Sequence, residues 1–452
     1  MVSASSSDVI SDTHQSSSTS MRGLLLSSSL WTVLGYGAGQ VLRLGNNLIL
    51  TRLVSVQVFG VMAIVQAVIT GLSLITDIGV GPSVIQNKNS NDPKFLGTAW
   101  TIQILRGVVI WISCCLLAWP AALFYRDPQM LFAIPVAGLA TLIGGFLSIN
   151  IFVMNKQLDL GPQTLMDLVS QIIAILVMLL LAVYTHSLWS LLIGTVVGAL
   201  ARSILSHWVL SGPPISIGID REIALSMFRF SRWITISTII TFVLSQGDRL
   251  LLGWYMVEKS ELGVYATGYL IPQTATILVA TLANRVLFPL YSRLIAEGGH
   301  ELRQRVYLLS RVIFSTILPG LWILMLFAQH IVDFLYPAPY HDAGWILRLF
   351  AGTAAVDTVT SSIGPVLLAK GNSFGVLQIN ISRVIGLLLL CIIFGSMGGV
   401  PGLIVAFAAV PLFTYPIIAW MSWQAGTWFP FLDTLAIGVS VLILALGWHL
   451  SL

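Results

Sequence analysis

Charged residues interrupt long apolar stretches of this sequence, and the chemistry of ten of them is the first guide to function. These ten are Arg43, Asp77, Arg106, Asp167, Asp248, Arg249, Arg285, Arg348, Asp357 and Arg383. A charge at the centre of a bilayer costs about 2.5–3.5 kcal/mol on insertion scales, so these side chains should face a partner, the protein interior or water. Structural ion pairs and snorkelling toward a membrane interface are the ordinary explanations, the latter above all for Arg106, Arg285 and Arg348.

Polar residues share a helical face with several of these charges. Helical spacing groups them into three stripes: Tyr36, Gln40, Arg43 and Asn47; Ser237, Thr241, Ser245 and Asp248; and Thr274, Thr281 and Arg285. Scattered Ser and Thr alone would rather serve as contacts between helices. Combined with an Arg or an Asp on the same face, they predict the lining of a water-filled cavity. The residues predicted to bind substrate are Gln40, Arg43, Asn47, Thr241, Ser245, Arg249 and Arg285.

The signs of these charges indicate what the cavity would hold. A guanidinium group binds phosphate through two parallel hydrogen bonds, so embedded Arg residues favour an anionic substrate. Asp77, Asp248 and Asp357 either neutralise these Arg residues or carry a coupling H⁺ or Na⁺. The sequence leaves open which Arg and Asp residues pair.

The elements that must position these residues are membrane-spanning helices. The chain is 56% hydrophobic and only 9% charged, whereas soluble domains carry about 25% charged residues. Thirteen apolar stretches approach the length that a span needs: 23–51, 57–85, 96–123, 128–154, 160–184, 187–210, 232–257, 263–291, 306–334, 343–369, 374–396, 399–424 and 431–451. Helices are expected because lipid satisfies no backbone groups and the stretches are too long for barrel strands.

An internal repeat divides these helices into two halves. Residues 45–48 (GNNL) match 247–250 (GDRL) at an offset of 202, and 59–63 (FGVMA) match 262–266 (LGVYA) one insertion later. Trp31 and Trp233 match at the first offset. A parallel repeat of this kind is typical of transporters whose halves move around a site between them. The predicted fold is therefore an all-α integral membrane protein of two six-helix lobes, with about 12–14 transmembrane helices in all.

Composition sets the expected boundaries. Residues 1–21 should be a disordered, Ser-rich cytoplasmic tail, 22–210 the N-lobe with helices 1–6, 211–231 a cytoplasmic linker, 232–425 the C-lobe with helices 7–12, and 426–452 an extra hydrophobic helix. With a cytoplasmic N-terminus, eleven Lys and Arg residues fall on the inside and only Arg52, Arg126 and Lys259 on the outside. The net charge of +4 reflects this asymmetry, so no nucleic-acid partner is expected.

Several short motifs, in order along the chain, resemble one family. Residues 51–60 (TRLVSVQVFG), 77–79 (DIG), 248–253 (DRLLLG) and 287–293 (LFPLYSR) are similar to the helix 1–2 and helix 7–8 units of oligosaccharide flippases, the polysaccharide-transporter family of the MOP exporter superfamily. Val56 stands where that family commonly has Pro. The likeness covers about residues 22–425.

The resemblance implies a function as well as a fold. It implies alternating access by two lobes and transfer of polyprenyl-diphosphate-linked oligosaccharide across the cytoplasmic (inner) membrane for O-antigen, capsule or exopolysaccharide assembly. The implied partners are this substrate, membrane lipids, a coupling H⁺ or Na⁺, and a polysaccharide polymerase and glycosyltransferases. No cofactor, metal or catalytic residue is expected, since the three Cys residues lie in apolar runs and match no metal-binding spacing.

Three other functions remain open. A multidrug or small-molecule exporter would have a related fold but an acidic, aromatic cavity. A membrane glycosyltransferase, ligase or polymerase would carry catalytic clusters in a large outer loop; the longest outer loop here is short, and it offers only His330, Asp333, His341 and Asp342. A channel would need a filter-like loop, which the sequence does not show.

Overall fold

The fold was analysed in a computed structural model of the 452-residue chain. It describes residue 35 and the ranges 37–86, 92–157, 161–210, 215–256 and 258–450. Every regular element in these ranges is helical. The helices are α1 (37–53), α2 (Val56–Ile75), α3 (Val80–Gln86), α4 (Pro93–Phe124), α5 (Met130–Gly145), α6 (Asn150–Gln157), α7 (Gly161–Thr185), α8 (Leu188–Val209), α9 (Arg221–Tyr255), α10 (Lys259–Leu282), α11 (Phe288–Ala296), α12 (Leu302–Leu326), α13 (Ala328–Leu335), α14 (Ala343–Thr360), α15 (Ile363–Ala369), α16 (Ser373–Gln424) and α17 (Pro430–Leu450).

The prediction of a helical membrane protein is confirmed. Within the described ranges, eight helical segments are long and apolar enough to cross a membrane, and a ninth is obtained if the bent pair α5–α6 counts as one span. Each of the thirteen apolar stretches carries helix where the structure describes it. The charged helices α9 and α14 are not among the eight.

Small breaks shape several helices. The predicted stretch 57–85 is interrupted at residues 76–79, where Gly79 has a φ of 61° and donates its backbone N–H to Asp77 Oδ1 over 3.0 Å. Glycine accepts this left-handed conformation without a Cβ clash. Gly399, with a φ of 56°, divides α16 at the boundary expected between the predicted stretches 374–396 and 399–424.

The chain forms two compact units. The first comprises the described residues up to 50, together with those in 76–122 and 130–235. Within it, α7 and α8 pack so closely that two positions of α8 have room only for glycine. A Cβ on Gly194 would lie 2.7 Å from Met178 Cβ, and one on Gly198 would lie 2.6 Å from Ala174 Cβ. Small residues at membrane helix interfaces allow such close approach. An ion pair of 2.8 Å between Asp167 and Arg202 joins the same two helices.

The second unit comprises residues 51–75, 123–129 and 236–452. Here α10 packs against α2 on one side and α14 on the other. Gly60 of α2 lies against the carbonyl group of Lys259, and Gly263 of α10 lies against the carbonyl group of Val56. Each glycine follows, by one turn, the carbonyl that the other contacts. The two positions that match in the sequence repeat therefore face each other reciprocally.

The last helix, α17, belongs to this second unit and packs against α12 and α14. Trp322 Nε1 of α12 donates to Ser440 Oγ of α17 over 2.9 Å. Arg348 of α14 is 3% exposed and donates from Nε to the backbone oxygen of Met325 over 3.0 Å. Its guanidinium nitrogen lies near the position that a Cβ on Gly447 would occupy. Arg348 is thus a structural anchor of three helices.

Some expected boundaries are untested. The predicted tail at 1–21 and the repeat residue Trp31 lie outside the described residues, as does the start of the predicted linker at 211–214. Helix α9 begins at Arg221, inside that linker. Residues 51–75, which the sequence assigns to the N-lobe, group with the second unit. The lobe boundaries stay a prediction.

Candidate functional site

A polar and aromatic cluster lies within the helices of the second unit, around Asp248 of α9. Asp248 is 8% exposed, and its Oδ2 accepts a hydrogen bond of 2.6 Å from the hydroxyl of Tyr265 on α10. Its other oxygen, Oδ1, is buried and has no hydrogen-bond partner among the described residues. A buried charged oxygen without a partner costs free energy, so this position is suited to a proton or a cation.

Arg249 follows Asp248 but points to different partners. Its Nη1 donates to Gln246 Oε1 over 2.8 Å and to the Ser245 backbone oxygen over 3.4 Å, and its Nη2 donates to Gln273 Oε1 over 3.4 Å. The guanidinium carbon lies 5.4 Å from the centre of the Tyr269 ring. All of these partners are uncharged, and none of the six ion pairs within the described ranges includes Arg249. Its charge therefore remains available to an anion.

Three aromatic rings form one wall of this cluster. Tyr265 and Tyr269 stack with their ring centres 6.0 Å apart, and Phe350 of α14 packs edge-on against Tyr269 at 4.7 Å. Edge-on and offset packing of this kind adds about 0.5–1.5 kcal/mol per pair beyond burial. The rings fix the hydroxyl of Tyr265 toward Asp248 and place the face of Tyr269 against Arg249.

A second carboxylate of the cluster is paired. Asp357 of α14 forms an ion pair of 3.1 Å with Arg383 of α16. Tyr269 lies within electrostatic range of Asp248, Arg249 and Asp357, so the two carboxylates belong to one neighbourhood. Asp357 already has a cation beside it, whereas Asp248 has a phenol.

Ser245 contributes its backbone oxygen to this cluster, and the other two predicted residues of the second unit, Thr241 and Arg285, are exposed. Ser245 Oγ is 3.5 Å from the Phe242 backbone oxygen, and Thr241 is exposed. Arg285 is exposed on a π-helical turn, Ala283–Leu287, between α10 and α11. Single π turns occur often at functional sites, and an exposed Arg within a membrane span needs water or an anion nearby.

The predicted residues of the first unit form separate contacts. Arg43 is exposed, and its Nε donates to Gln40 Oε1 over 3.1 Å, so these two share the stripe expected from their spacing. Asn47 is half-buried on the same helix. Asp77 lies 3.7 Å from Arg106 and accepts the Gly79 backbone N–H, which gives it a structural task at the α2–α3 break. Substrate binding by the seven residues predicted for it, and ion binding by the three predicted carboxylates, both stay predictions.

Sequence reasoning missed the aromatic and amide partners of Arg249. Tyr265, Tyr269 and Gln273 lie at i, i+4 and i+8 of α10 and so share one face. This stripe is readable in the sequence, although it contains no charge and attracts less attention than Arg285 on the same segment. It supplies three of the contacts that define the cluster.

The outer-loop acids and histidines do not form a metal site. Asp333 Oδ1 lies 2.8 Å from His341 Nδ1, and Gln329 Nε2 lies within 3.1 Å of both residues. Within the part of the chain that the structure describes, no group of three or more His, Cys, Asp or Glu residues could hold a metal ion. These residues are exposed and bind one another.

Comparison with solved structures defines the class of the fold. A lipid II flippase, MurJ, in an inward closed conformation has a TM-score of 0.72 at 13% identity, with 93% of this chain and 91% of MurJ covered. An inward-facing multidrug resistance MATE transporter of the MOP superfamily has a TM-score of 0.66 at 12% identity, with 86% and 94% covered. The chain therefore has the fold of the MOP superfamily transporters.

The family follows from the sequence. The family described as polysaccharide biosynthesis protein matches residues 49–344, well over half of the chain, and the chain belongs to it. The lipopolysaccharide biosynthesis protein WzxC of Escherichia coli (strain K12) is 22% identical over 402 residues, covering 87% of this chain and 80% of WzxC. The succinoglycan biosynthesis transport protein ExoT of Rhizobium meliloti (strain 1021) is 22% identical over 349 residues, covering 75% and 68%.

Proposed function

We propose that this protein is an alternating-access flippase that moves polyprenyl-diphosphate-linked oligosaccharide across the cytoplasmic membrane. The oligosaccharide would serve O-antigen, capsule or exopolysaccharide assembly. Glycosyltransferases would act before the transfer step, and a polymerase would act after it. Membership of the polysaccharide biosynthesis family supports this proposal, as do relatives named for lipopolysaccharide biosynthesis and succinoglycan transport. The fold shared with a lipid II flippase is consistent with a lipid-linked substrate.

One observation carries the choice of an anionic substrate. Arg249 lies within α9, is half-buried, and is held by two amide oxygens, a backbone oxygen and an aromatic face rather than by a carboxylate. A guanidinium group oriented in this way can bind a phosphate oxygen through charge-assisted hydrogen bonds. A multidrug exporter specific for cations would gain nothing from an Arg at this place that no carboxylate contacts directly.

The coupling ion is proposed to bind at Asp248. Of the three carboxylates predicted for this role, Asp77 lies beside Arg106 and Asp357 beside Arg383. Asp248 instead receives one phenol hydrogen bond and keeps a buried, unpartnered oxygen. A site that binds and releases an ion in each cycle needs an oxygen that no protein group already contacts. The carboxylates in fixed ion pairs lack one.

Reconstitution tests the function. Purified protein in liposomes, supplied with lipid-linked oligosaccharide prepared from the host, should transfer it between leaflets without changing it chemically. Arg249→Ala should slow this transfer about 10- to 150-fold, because a hydrogen bond to a charged group contributes about 1.5–3 kcal/mol. Arg305→Ala, which removes an exposed pair with Glu301, is the matched control and should transfer at the wild-type rate.

Other outcomes would contradict the proposal. Efflux of a cationic dye by the wild-type protein, with no transfer of lipid-linked sugar, would identify a multidrug exporter. Lengthened, joined or cleaved oligosaccharide in the same liposomes would identify an enzyme. Equal rates in Arg249→Ala and Arg305→Ala would remove Arg249 from the substrate site.

A further inference from the structure

A polar cavity of about 530 Å³ lies at the ends of three chain segments in the second unit. It is lined by Gln57, by residues 126–129, and by Glu258, Lys259 and Ser260. These residues mark three helix junctions: Gln57 is in the first turn of α2, just after α1; residues 126–129 join α4 to α5; and residues 258–260 begin α10, just after α9. The positive-inside pattern places all three junctions on the extracytoplasmic side. The cavity is separate from the Asp248–Arg249 cluster described above.

Two buried charges give this cavity a fixed frame. Lys259 is 5% exposed, and its Nζ donates to the backbone oxygens of Gly253 over 2.8 Å and Met256 over 3.1 Å. Its ammonium lies 5.9 Å from the centre of the Tyr125 ring. Burial raises the pKa of the Tyr125 hydroxyl to about 12, so that ring is a neutral phenol. The hydrogen-bond acceptors of Lys259 are thus neutral, and the charges of Asp127 and Arg126 lie within electrostatic range of it.

Asp127 supplies the feature that indicates a ligand. Its Oδ1 accepts the backbone N–H of Gln129 over 2.9 Å, which fixes the side chain. The residue is 7% exposed, and its Oδ2 is buried without a hydrogen-bond partner among the described residues. Asp127 lines the cavity, and a ligand that donates a hydrogen bond to this oxygen would satisfy it.

The charges of the lining limit what can bind. Arg126 and Lys259 are balanced by Asp127 and Glu258, so an anion would meet two carboxylates and a cation would meet two basic groups. Gln57, Gln129 and Ser260 add neutral donors and acceptors. A hydroxyl group both donates and accepts, and a ligand that carries several hydroxyl groups can satisfy acids, amides and cations together.

We propose that this cavity is a binding site for neutral sugar units on the extracytoplasmic side of the protein. Its volume falls within the range of about 300–1,000 Å³ that is usual for ligand sites. The inference rests on the proposed function, and it adds to that function a site that binds the sugars of the substrate on the side where they are released. Arg126 has a φ of 54°, and this left-handed backbone turns the loop 126–129 around the cavity.

Binding measurements test the site directly. Full-length protein in lipid nanodiscs is titrated with four soluble, neutral tetrasaccharides, built from glucose, galactose, mannose or N-acetylglucosamine, and with inorganic phosphate and spermidine as charged probes. At least one tetrasaccharide should bind, and neither charged probe should. Asp127→Asn should weaken that binding tenfold or more, because a neutral amide replaces the charged acceptor. Asp92→Asn is the matched control, since Asp92 Oδ1 likewise accepts the backbone N–H two residues on, outside the cavity.

A second variant guards against misfolding. Gln129→Ala removes an exposed side chain of the lining and keeps the backbone N–H that holds Asp127, so it should fold normally and bind at least threefold more weakly. The inference is overturned if no tetrasaccharide binds, if phosphate or spermidine binds through Asp127, or if both cavity variants bind like Asp92→Asn. Failure of the proposed function is a separate result, since it appears as the absence of lipid-linked transfer by the wild-type protein.

Discussion

The reciprocal glycine contact between α2 and α10 leads to a quantitative prediction for Gly60→Ala. A Cβ on Gly60 would lie 2.8 Å from the carbonyl carbon of Lys259 and closer still to its oxygen. Carbon atoms pack at about 3.5–4.0 Å, so the two helices must separate by at least about 0.7–1.2 Å to clear the carbonyl carbon, and further to clear the oxygen. The obstacle is backbone, which cannot rotate away. Overpacking of this kind costs about 1–3 kcal/mol.

This cost should shift the equilibrium between packed and separated helices by roughly 5- to 150-fold. The assay uses a Val61→Cys reporter on α2, whose native side chain is 0% exposed, in a background with the three native Cys residues replaced by Ala. Labelling by a water-soluble maleimide should accelerate by that factor in Gly60→Ala. Gly320→Ala is the control, because a Cβ there would meet nothing within 4 Å.

The matching glycine sharpens the test. Gly263→Ala should have a similar effect, since its Cβ would lie 3.0 Å from the carbonyl carbon of Val56. One separation of the helices relieves both clashes, so the double variant should cost less than the sum of the single ones. Labelling of Gly60→Ala at the rate of Gly320→Ala, in folded protein, would refute the reasoning. A cost in the double variant equal to the sum would refute the reciprocal contact.

Two further predictions concern buried cations. Arg348→Ala should lower the free energy of unfolding by about 1–3 kcal/mol, measured by thermal or chemical unfolding in detergent, because it removes the donor to the Met325 backbone oxygen; a loss no larger than that of Arg305→Ala would contradict this. Arg383→Gln should lower the free energy of unfolding by about 1–3 kcal/mol. This is less than for a fully buried ion pair, because the side chains of Arg383 and Asp357 are 29% and 22% exposed. Adding Asp357→Asn to the same chain should restore part of the loss.

The sequence was sufficient to predict the helices, but it could not predict which charged residues form ion pairs between them. Asp77 and Arg106, Asp167 and Arg202, and Asp357 and Arg383 all form ion pairs in the structure. Each pair joins segments about 26 to 35 residues apart, and every partner except Arg202 was recognised as a charge within an apolar stretch. Which helices are neighbours depends on packing of the whole bundle, and no local pattern records it.

Adjacent residues are the opposite case. Asp248 and Arg249 are neighbours in sequence, and the sequence analysis left open whether these two residues pair. Consecutive residues of an α-helix point in directions about 100° apart, so they do not face each other. The structure agrees, since Asp248 turns to Tyr265 and Arg249 to Gln246 and Gln273. Helical geometry alone could have excluded this pair.

The separation of these two residues gives the last prediction, which concerns ion coupling. In Asp248→Asn the side chain keeps its shape and an oxygen that can accept the hydrogen bond from the Tyr265 hydroxyl, so the packing around the stacked tyrosines should survive. What is lost is the carboxylate that could take up and release an ion. Transport by this variant should no longer respond to an imposed H⁺ or Na⁺ gradient, while passive exchange of the substrate continues.

Asp357→Asn separates coupling from structure, because it neutralises a carboxylate of the same cluster that is already paired with Arg383. We expect this variant to be less stable and to keep its response to the gradient. The measurement is the ratio of lipid-linked sugar transfer with and without the gradient, in liposomes that contain each variant. If Asp248→Asn keeps the wild-type ratio, the carboxylate has a structural role only. If Asp357→Asn loses the ratio instead, the coupling ion binds beside Arg383, and the unpartnered oxygen of Asp248 needs another explanation.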